Sequence, residues 1–235
     1  MTVFLPAMLY LSSLLWRPLF HAAIIAQVAY VLSRGIALGR LPLVGLHDTL
    51  TFLSLATAVF SLPFQRSFKA RRRFLKSAAL LAAVFAILGA LASPSSSPLP
   101  PVLKTYWFEV HVVLSFFSYA LFGIGAILGA VYLLSPDPDT EALQYKAILT
   151  GYLIFSLSMV FGGIWAFLAW GTYWLWTPKE LWTTLLWLTY TLYLHLRFRP
   201  WWTGRRIVMT GIAGYFVVLF TYLGVGLLMK SSHSF

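Results

Sequence analysis

The sequence predicts an all-α polytopic integral membrane protein, a bundle of about 7–8 transmembrane helices with a tryptophan-rich loop on the external side. Three observations carry that expectation. The chain is 60% hydrophobic and only 10% charged, with a mean hydropathy of +0.82, whereas soluble domains carry about 25% charged residues. Apolar runs near the ~20 residues needed to span a bilayer recur along its whole length. The basic residues are bunched, six between Arg66 and Lys76 and four between Arg197 and Arg206, in short loops between apolar runs. That is the positive-inside pattern, and it accounts for the net charge of +11 without invoking nucleic acid. The chain has no Cys, which excludes disulfides, thiolate metal sites and CxxC redox chemistry.

Residues 1–17 form an apolar N-terminal segment that Arg17-Pro18 interrupts. It is short for a span and can equally be a truncated first span, an interfacial helix or an extension of the next one. It lacks a basic start and a small-residue cleavage site, which argues against a removable signal peptide. Residues 18–235 are expected to make one transmembrane domain with spans at 18–38, 48–64, 75–93, 107–134, 147–168, 179–197 and 206–229. With both basic loops inside, loops 39–47, 94–106 and 169–178 and the tail from Lys230 fall on the non-cytoplasmic side, while loop 135–146 is inside. That last loop is acidic, with Asp137, Asp139 and Glu141. Ala92 to Pro100 is a proline-rich connector that cannot be helical throughout. The 107–134 run would reach ~42 Å as a helix, so its outer end, with Trp107, Glu109 and His111, should project beyond the ~30 Å hydrocarbon core. Within it Gly125 and Gly129 form a GxxxG, which lets a neighbouring helix approach closely.

Six of the ten tryptophans lie between Trp165 and Trp187: Trp165, Trp170, Trp174, Trp176, Trp182 and Trp187. Gly171 breaks this stretch and Pro178 turns it. Indoles suit sites with one wet edge and one apolar face, as at a membrane interface or over a flat apolar ligand. Thr177-Pro178-Lys179-Glu180 reads as a capping box with a proline start, so it should begin the helix 179–197 and fix the aromatic loop that feeds it.

The five histidines carry the remaining chemistry. His21 fits a packing or interfacial role, and His47 an exposed loop. His111 and His233 share the outer side with the indole cluster. Two neutral imidazoles on opposite faces of a planar tetrapyrrole would make a six-coordinate iron site. Topology alone leaves that reading and two unrelated interfacial histidines both open. His195 lies near the inner end of its span, where it can either snorkel or act as a ligand.

These residues also carry a resemblance. WGTYWLWTPKELW, at Trp170 to Trp182, resembles the tryptophan-rich "WWD" signature of the heme-handling proteins of cytochrome c biogenesis, in the form found in the CcsA/ResC branch (system II). GRLPLVGLHDTLTFLS (Gly39 to Ser54), WFEVHVVLSFFSYALFG (Trp107 to Gly123), YLHLR (Tyr193 to Arg197) and FTYLGVGLL followed by His233-Ser234-Phe235 are similar to further family segments in the same order. The resemblance, which runs from about residue 18 to the end, implies a CcsA-like transmembrane heme-handling domain. It implies that heme b (iron protoporphyrin IX) is moved to the outer face and presented there for covalent attachment to apocytochrome c. The family's two external ligands map onto His111 and His233, and its intramembrane histidine, linked to heme entry, onto His195. The signature maps the shelf over the macrocycle onto Trp165, Trp170, Gly171, Trp174, Trp176, Pro178, Glu180 and Trp182. The implied partners are a CcsB/ResB-type membrane subunit, apocytochrome c, heme and membrane lipid, in a bacterial inner or thylakoid-type membrane. No catalytic residue is implied, and any synthase activity would need the CcsB/ResB-type subunit.

The sequence departs from the family pattern at several points. Thr177 replaces the signature Asp, Phe167 and Leu168 replace a polar pair, His47 stands for Tyr and Gly226 for Asn. The N-terminus is shorter, and the partner subunit is not fused. A second reading is therefore a heme-sensing or regulatory membrane protein of the same superfamily, HemX-like, that delivers no heme to cytochromes. A transporter whose tryptophans merely anchor helices would spread them over both interfaces rather than around one loop.

Overall fold

The apolar runs form helices in the computed structural model, which describes residues 3–65 and 70–228. In chain order these are α1 (Leu5–Ser12), α2 (Pro18–Leu38), α3 (Leu46–Ser61), α4 (Arg71–Leu91), α5 (Tyr106–Leu134), α6 (Pro138–Trp170), α7 (Pro178–Leu196) and α8 (Arg205–Leu228). Helix α8 contains a π-helical turn at Phe220–Gly224, and α3 ends in a short 3-10 turn at Leu62–Gln65. Among the described residues there is no strand. Helices α2, α4, α5, α6 and α8 are long and apolar enough to cross a membrane. The protein is an all-α polytopic membrane protein.

The chain divides into two compact units. The first holds residues 1–67 and 71–101, with α1 to α4. The N-terminal segment, whose form the sequence left open, is a separate two-turn helix whose Ala7 and Tyr10 join a core with Phe20, Ala23, Ala58, Ala79, Ala82, Ala83 and Ala86. Alanines dominate because helix association inside lipid rests on close backbone approach rather than on hydrophobic exclusion. Outward-facing positions are apolar too, with Ile25 70%, Leu32 61% and Ile36 82% exposed. A polar thread runs through this core. The Tyr10 hydroxyl donates to Gln27 Oε1 at 2.6 Å, Gln27 Nε2 donates to the Thr51 carbonyl at 3.0 Å, and Ser54 Oγ donates to the Ala82 carbonyl at 2.7 Å.

His47 corrects the loop assignment. It lies in the first turn of α3, is 1% exposed, and its Nδ1 is 2.7 Å from the Gly89 carbonyl. A carbonyl can only accept, so Nδ1 carries the proton, and Nε2 accepts from the Tyr30 hydroxyl at 2.7 Å. Beside it, Arg34 Nε donates to Asp48 Oδ1 at 3.0 Å, and Arg34 Nη2 reaches the Ser95 carbonyl at 2.6 Å. A buried carboxylate is thereby neutralised, and the proline-rich connector is tied to α2.

The second unit holds residues 68–70 and 102–235, with α5 to α8. Helix α5, capped by Thr105, runs 29 residues through its centre and packs on α6 and α8. The GxxxG does what its spacing predicts. A Cβ on Gly125 would lie 2.7 Å from Ile148 Cγ1 of α6, and one on Gly129 would lie 2.9 Å from Ile212 Cγ1 of α8. Loop 135–146 is corrected as well: α6 begins at Pro138 and is the longest helix, at 33 residues. Asp137 caps it by accepting from Thr140 N at 3.2 Å, and Asp139 and Glu141 lie in its first turn. The acids sit there because a helix N-terminus favours negative charge.

Removing the carboxylate from the Arg34–Asp48 pair, with side chains 14% and 2% exposed, leaves a charge that nothing neutralises in a low-dielectric interior. Asp48→Ala is expected to cost about 3 kcal/mol. Unfolding in sodium dodecyl sulfate, followed by circular dichroism, measures it.

Candidate functional site

In the second unit, α5 and α6 are antiparallel neighbours, so the start of α5 and the end of α6 share one end of the bundle. His111 sits there on the second turn of α5, with its ring against α6. Its Nδ1 donates to the Ser158 carbonyl at 2.8 Å, and Ser158 Oγ lies 3.1 Å from the same nitrogen. Ser158 Oγ also donates to the His111 carbonyl at 2.9 Å, as does Ser115 Oγ, and the two hydroxyls are 2.6 Å apart. The ring is thus held in one tautomer, with the lone pair on Nε2. The helices can approach this closely because position 162 has no side chain: a Cβ there would lie 2.6 Å from His111 Nδ1.

Trp165 lies within α6, as the expected span had it, and Trp170 is the last residue of α6 rather than part of the loop. The Trp165 indole is 3% exposed and donates to the Val102 carbonyl at 2.9 Å. Its ring lies 11° from parallel to His111, with centroids 6.5 Å apart, and Trp170 meets it edge-on at 4.9 Å. Gly171 ends the helix at φ 75°, in the left-handed conformation that a residue without Cβ takes freely. Trp174 and Trp176 occupy the loop itself, their rings nearly perpendicular at 6.5 Å.

The TPKE motif folds as its residues dictate. Pro178 is the first helical residue, Thr177 Oγ1 accepts from Glu180 N at 3.3 Å, and Glu180 Oε2 accepts from Thr177 N at 2.9 Å. The same oxygen also accepts from Leu175 N at 2.9 Å. One carboxylate, 7% exposed, therefore clasps the two amides on either side of Trp176. Trp176 has φ 57°, the one positive φ at a non-glycine residue among those described, and its indole is 65% exposed. Left-handed backbone costs an L-residue roughly 1–2 kcal/mol, and the clasp offsets that cost while projecting the ring outward.

Trp182, at the start of the second turn of α7, packs on Phe220 with centroids 4.3 Å apart, and its carbonyl accepts from Thr221 Oγ1 at 3.4 Å. Both partners belong to the π turn of α8. Trp187 packs one turn further on, donating to Ser156 Oγ at 3.0 Å. His195 is not gathered here. It lies near the far end of α7, exposed, roughly 26 Å along the helix axis from Pro178. Its Nδ1 donates to the Thr191 carbonyl at 2.8 Å, which again leaves the lone pair on Nε2. His233 lies outside the described residues. His21 is exposed at the start of α2 in the first unit, edge-on to Phe20.

Sequence reasoning missed Ser115, Ser158 and Gly162, which fix the His111 ring. The signal was present in FSLSMVFGG, where Ser158 and Gly162 are one helical turn apart and mark a face that a neighbour can approach.

The sequence profile described as Cytochrome C assembly protein matches residues 43–233. The chain belongs to that family. It is 33% identical to the cytochrome c biogenesis protein CcsA of Chlamydomonas reinhardtii over 84% of this chain and 61% of that one. It is 30% identical to CcsA of a strain of Prochlorococcus marinus, over 95% of this chain and 84% of the relative. CcsA of Trieres chinensis is also 30% identical, over 91% and 85%. The chain thus spans under two thirds of the length of the Chlamydomonas relative. The family profile takes in Asp48, His111, the tryptophan-rich stretch and His195.

The clasp generates a paired prediction. Glu180→Ala should destabilise the loop by about 2 kcal/mol, seen as faster proteolysis between Trp174 and Pro178. Adding Trp176→Gly should recover about 1 kcal/mol, because glycine takes the left-handed conformation without penalty.

Proposed function

We propose that this chain handles heme in cytochrome c biogenesis, presenting it at the tryptophan-rich end of the second unit for attachment to apocytochrome c. The observation that carries the reading is the state of His111. Its Nδ1–H is bound to a carbonyl, so Nε2 is the nitrogen with a lone pair, as an iron ligand requires. The donor set therefore suits heme iron, and the indoles of Trp165, Trp170, Trp174 and Trp176 gathered at the same end suit a flat macrocycle. His233 would be the second histidine to hold the iron in this reading, and Gly171, Pro178, Glu180 and Trp182 would set the shelf's shape. Bound there, heme supplies the vinyl groups to which the cytochrome's own cysteine thiols add. This chain's residues orient it and shield it from water, and none acts as an acid or base. Heme b is the species expected, because covalent attachment consumes free vinyl groups.

His195, whose lone pair is likewise on Nε2, belongs to the opposite end of the unit and suits the entry of heme. The proposed orientation puts the tryptophan loop, His111 and the C-terminus on the non-cytoplasmic side. It rests on the two basic stretches that the sequence sets between spans. A CcsB/ResB-type membrane subunit is the proposed partner. Thr177 in the motif favours a second reading, a HemX-like sensor. The cap is intact without the acid, so the fold needs no Asp there, but one negative charge is missing beside the shelf.

Two outcomes are expected. The His111→Ala/His233→Ala double variant should purify without the low-spin bis-imidazole spectrum of the wild type; an unchanged spectrum would exclude the assignment. Gly162→Ala should displace the His111 ring and lower heme retention by about ten- to a hundredfold while leaving helix content intact, read by absorption and circular dichroism on the same sample. A maturation assay with the partner subunit then separates delivery from sensing.

A further inference from the structure

The first unit contains a cavity of about 310 Å³ that no step of heme presentation uses. It is built where α1 ends and where α2 and α4 begin. Arg17, His21, Arg71, Arg72 and Lys76 surround it, and Phe20 and Leu75 contribute apolar wall. Helices α2 and α4 are both long enough to span, and both start here, so the cavity lies at the level of a membrane interface. The exposed side chains of Leu15 (94%) and Trp16 (62%) flank it, as residues bordering lipid headgroups do.

Two features distinguish it from a merely solvated basic face. Residues 1–101 include a single acid, Asp48. Arg34 already neutralises that carboxylate at 3.0 Å, so no carboxylate in this segment is left for the cavity's cations. Secondly, the Gln65 side-chain Nε2 is buried at the cavity and has no hydrogen-bond partner among the described residues. A buried amide donor without an acceptor is costly, and it supplies a specific seat for an oxygen anion. The chemistry that satisfies both features is a phosphate with an apolar tail.

We propose that this cavity is a binding site for one anionic phospholipid, its phosphate between Arg17, Arg71, Arg72 and Lys76, with Gln65 donating to a phosphate oxygen and an acyl chain along Leu75 and Leu15. The apolar part of the wall is Leu14, Leu15, Pro18, Phe20 and Leu75, without a tryptophan, which suits an acyl chain better than a macrocycle. The site is independent of the heme reading, since all its residues lie in the first unit.

The test is native mass spectrometry of the full chain in detergent, titrated separately with dioleoylphosphatidylglycerol, dioleoylphosphatidylcholine, deacylated glycerophosphoglycerol, inorganic phosphate and iron protoporphyrin IX. One phosphatidylglycerol should bind at least about tenfold more tightly than phosphatidylcholine. Each cation near the surface contributes about fivefold, so Arg71→Gln/Arg72→Gln/Lys76→Gln should weaken it roughly a hundredfold. Gln65→Leu should weaken it about tenfold. Arg199→Gln/Arg205→Gln/Arg206→Gln, in the other unit, should change nothing. Equal binding of phosphatidylcholine, or an unaltered triple variant, overturns the proposal. So does headgroup or phosphate binding as tightly as the lipid, which would make this a free-anion site, or displacement of the lipid by equimolar heme. If the triple variant loses its helical circular dichroism, the wild-type lipid preference and the Gln65→Leu titration decide.

Discussion

A polar side chain buried where no water can reach is costly unless it finds a partner inside the protein. In this protein that partner is repeatedly the backbone carbonyl of a neighbouring element. Gln27 meets Thr51, Ser54 meets Ala82 and His47 meets Gly89 in the first unit; His111 meets Ser158, Gln144 meets Val208 and Trp165 meets Val102 in the second. Helix carbonyls retain a second lone pair after their own ladder bond, so these contacts do not compete with the helix. They require the elements to come close, and the alanines and glycines at the interfaces allow it. The small-residue packing and the polar thread are one arrangement seen from two sides.

The candidate site is an application of the same rule. A carbonyl that merely satisfies a buried imidazole also selects which nitrogen keeps its proton. At His47 the remaining nitrogen is taken by Tyr30, so that histidine is structural. At His111 the same bond is reinforced by two serine hydroxyls and ends at the aromatic end of the bundle. Packing and ligand preparation are therefore inseparable there, and substitutions on α6 that never meet a ligand act through the ring of α5. Glu180 has the corresponding role for the loop, where one carboxylate both starts α7 and holds Trp176 in a backbone conformation it would otherwise leave.

Much of this was legible in the sequence. Hydropathy located the helices because lipid leaves the backbone no alternative, although α3 and α7, expected as spans, are not among the five long and apolar enough to cross a membrane. TPKE announced its capping box because the reciprocal bonds need only local spacing. Four features were less accessible. His47 lies between Gly45 and Asp48, in a stretch that reads as loop, but the burial of its ring depends on Tyr30 and Gly89, which are distant in sequence. Asp137 to Glu141 read as a loop by charge, although the same charges are what a helix start prefers. Trp176 gave no sign of its left-handed backbone, since that conformation is imposed by a carboxylate four residues on. Ser158 and Gly162 were visible only as small residues, their purpose fixed by the partner helix.

The π turn at Phe220–Gly224 changes the meaning of counting residues toward the C-terminus. A wide turn holds one residue more than an α-helical turn, so Val225–Leu228 leaves α8 rotated by about 100° from the face that regular helical spacing would give. Thr221 lies in that turn and bonds back to the Val217 carbonyl at 2.7 Å as well as across to Trp182. The extra residue is thus anchored where α8 meets the start of α7. For an evolving sequence this makes the turn a phase-setting element. Loss of one residue within it would keep the helix, its hydropathy and its length almost unchanged, while turning Val225–Leu228 to a different side.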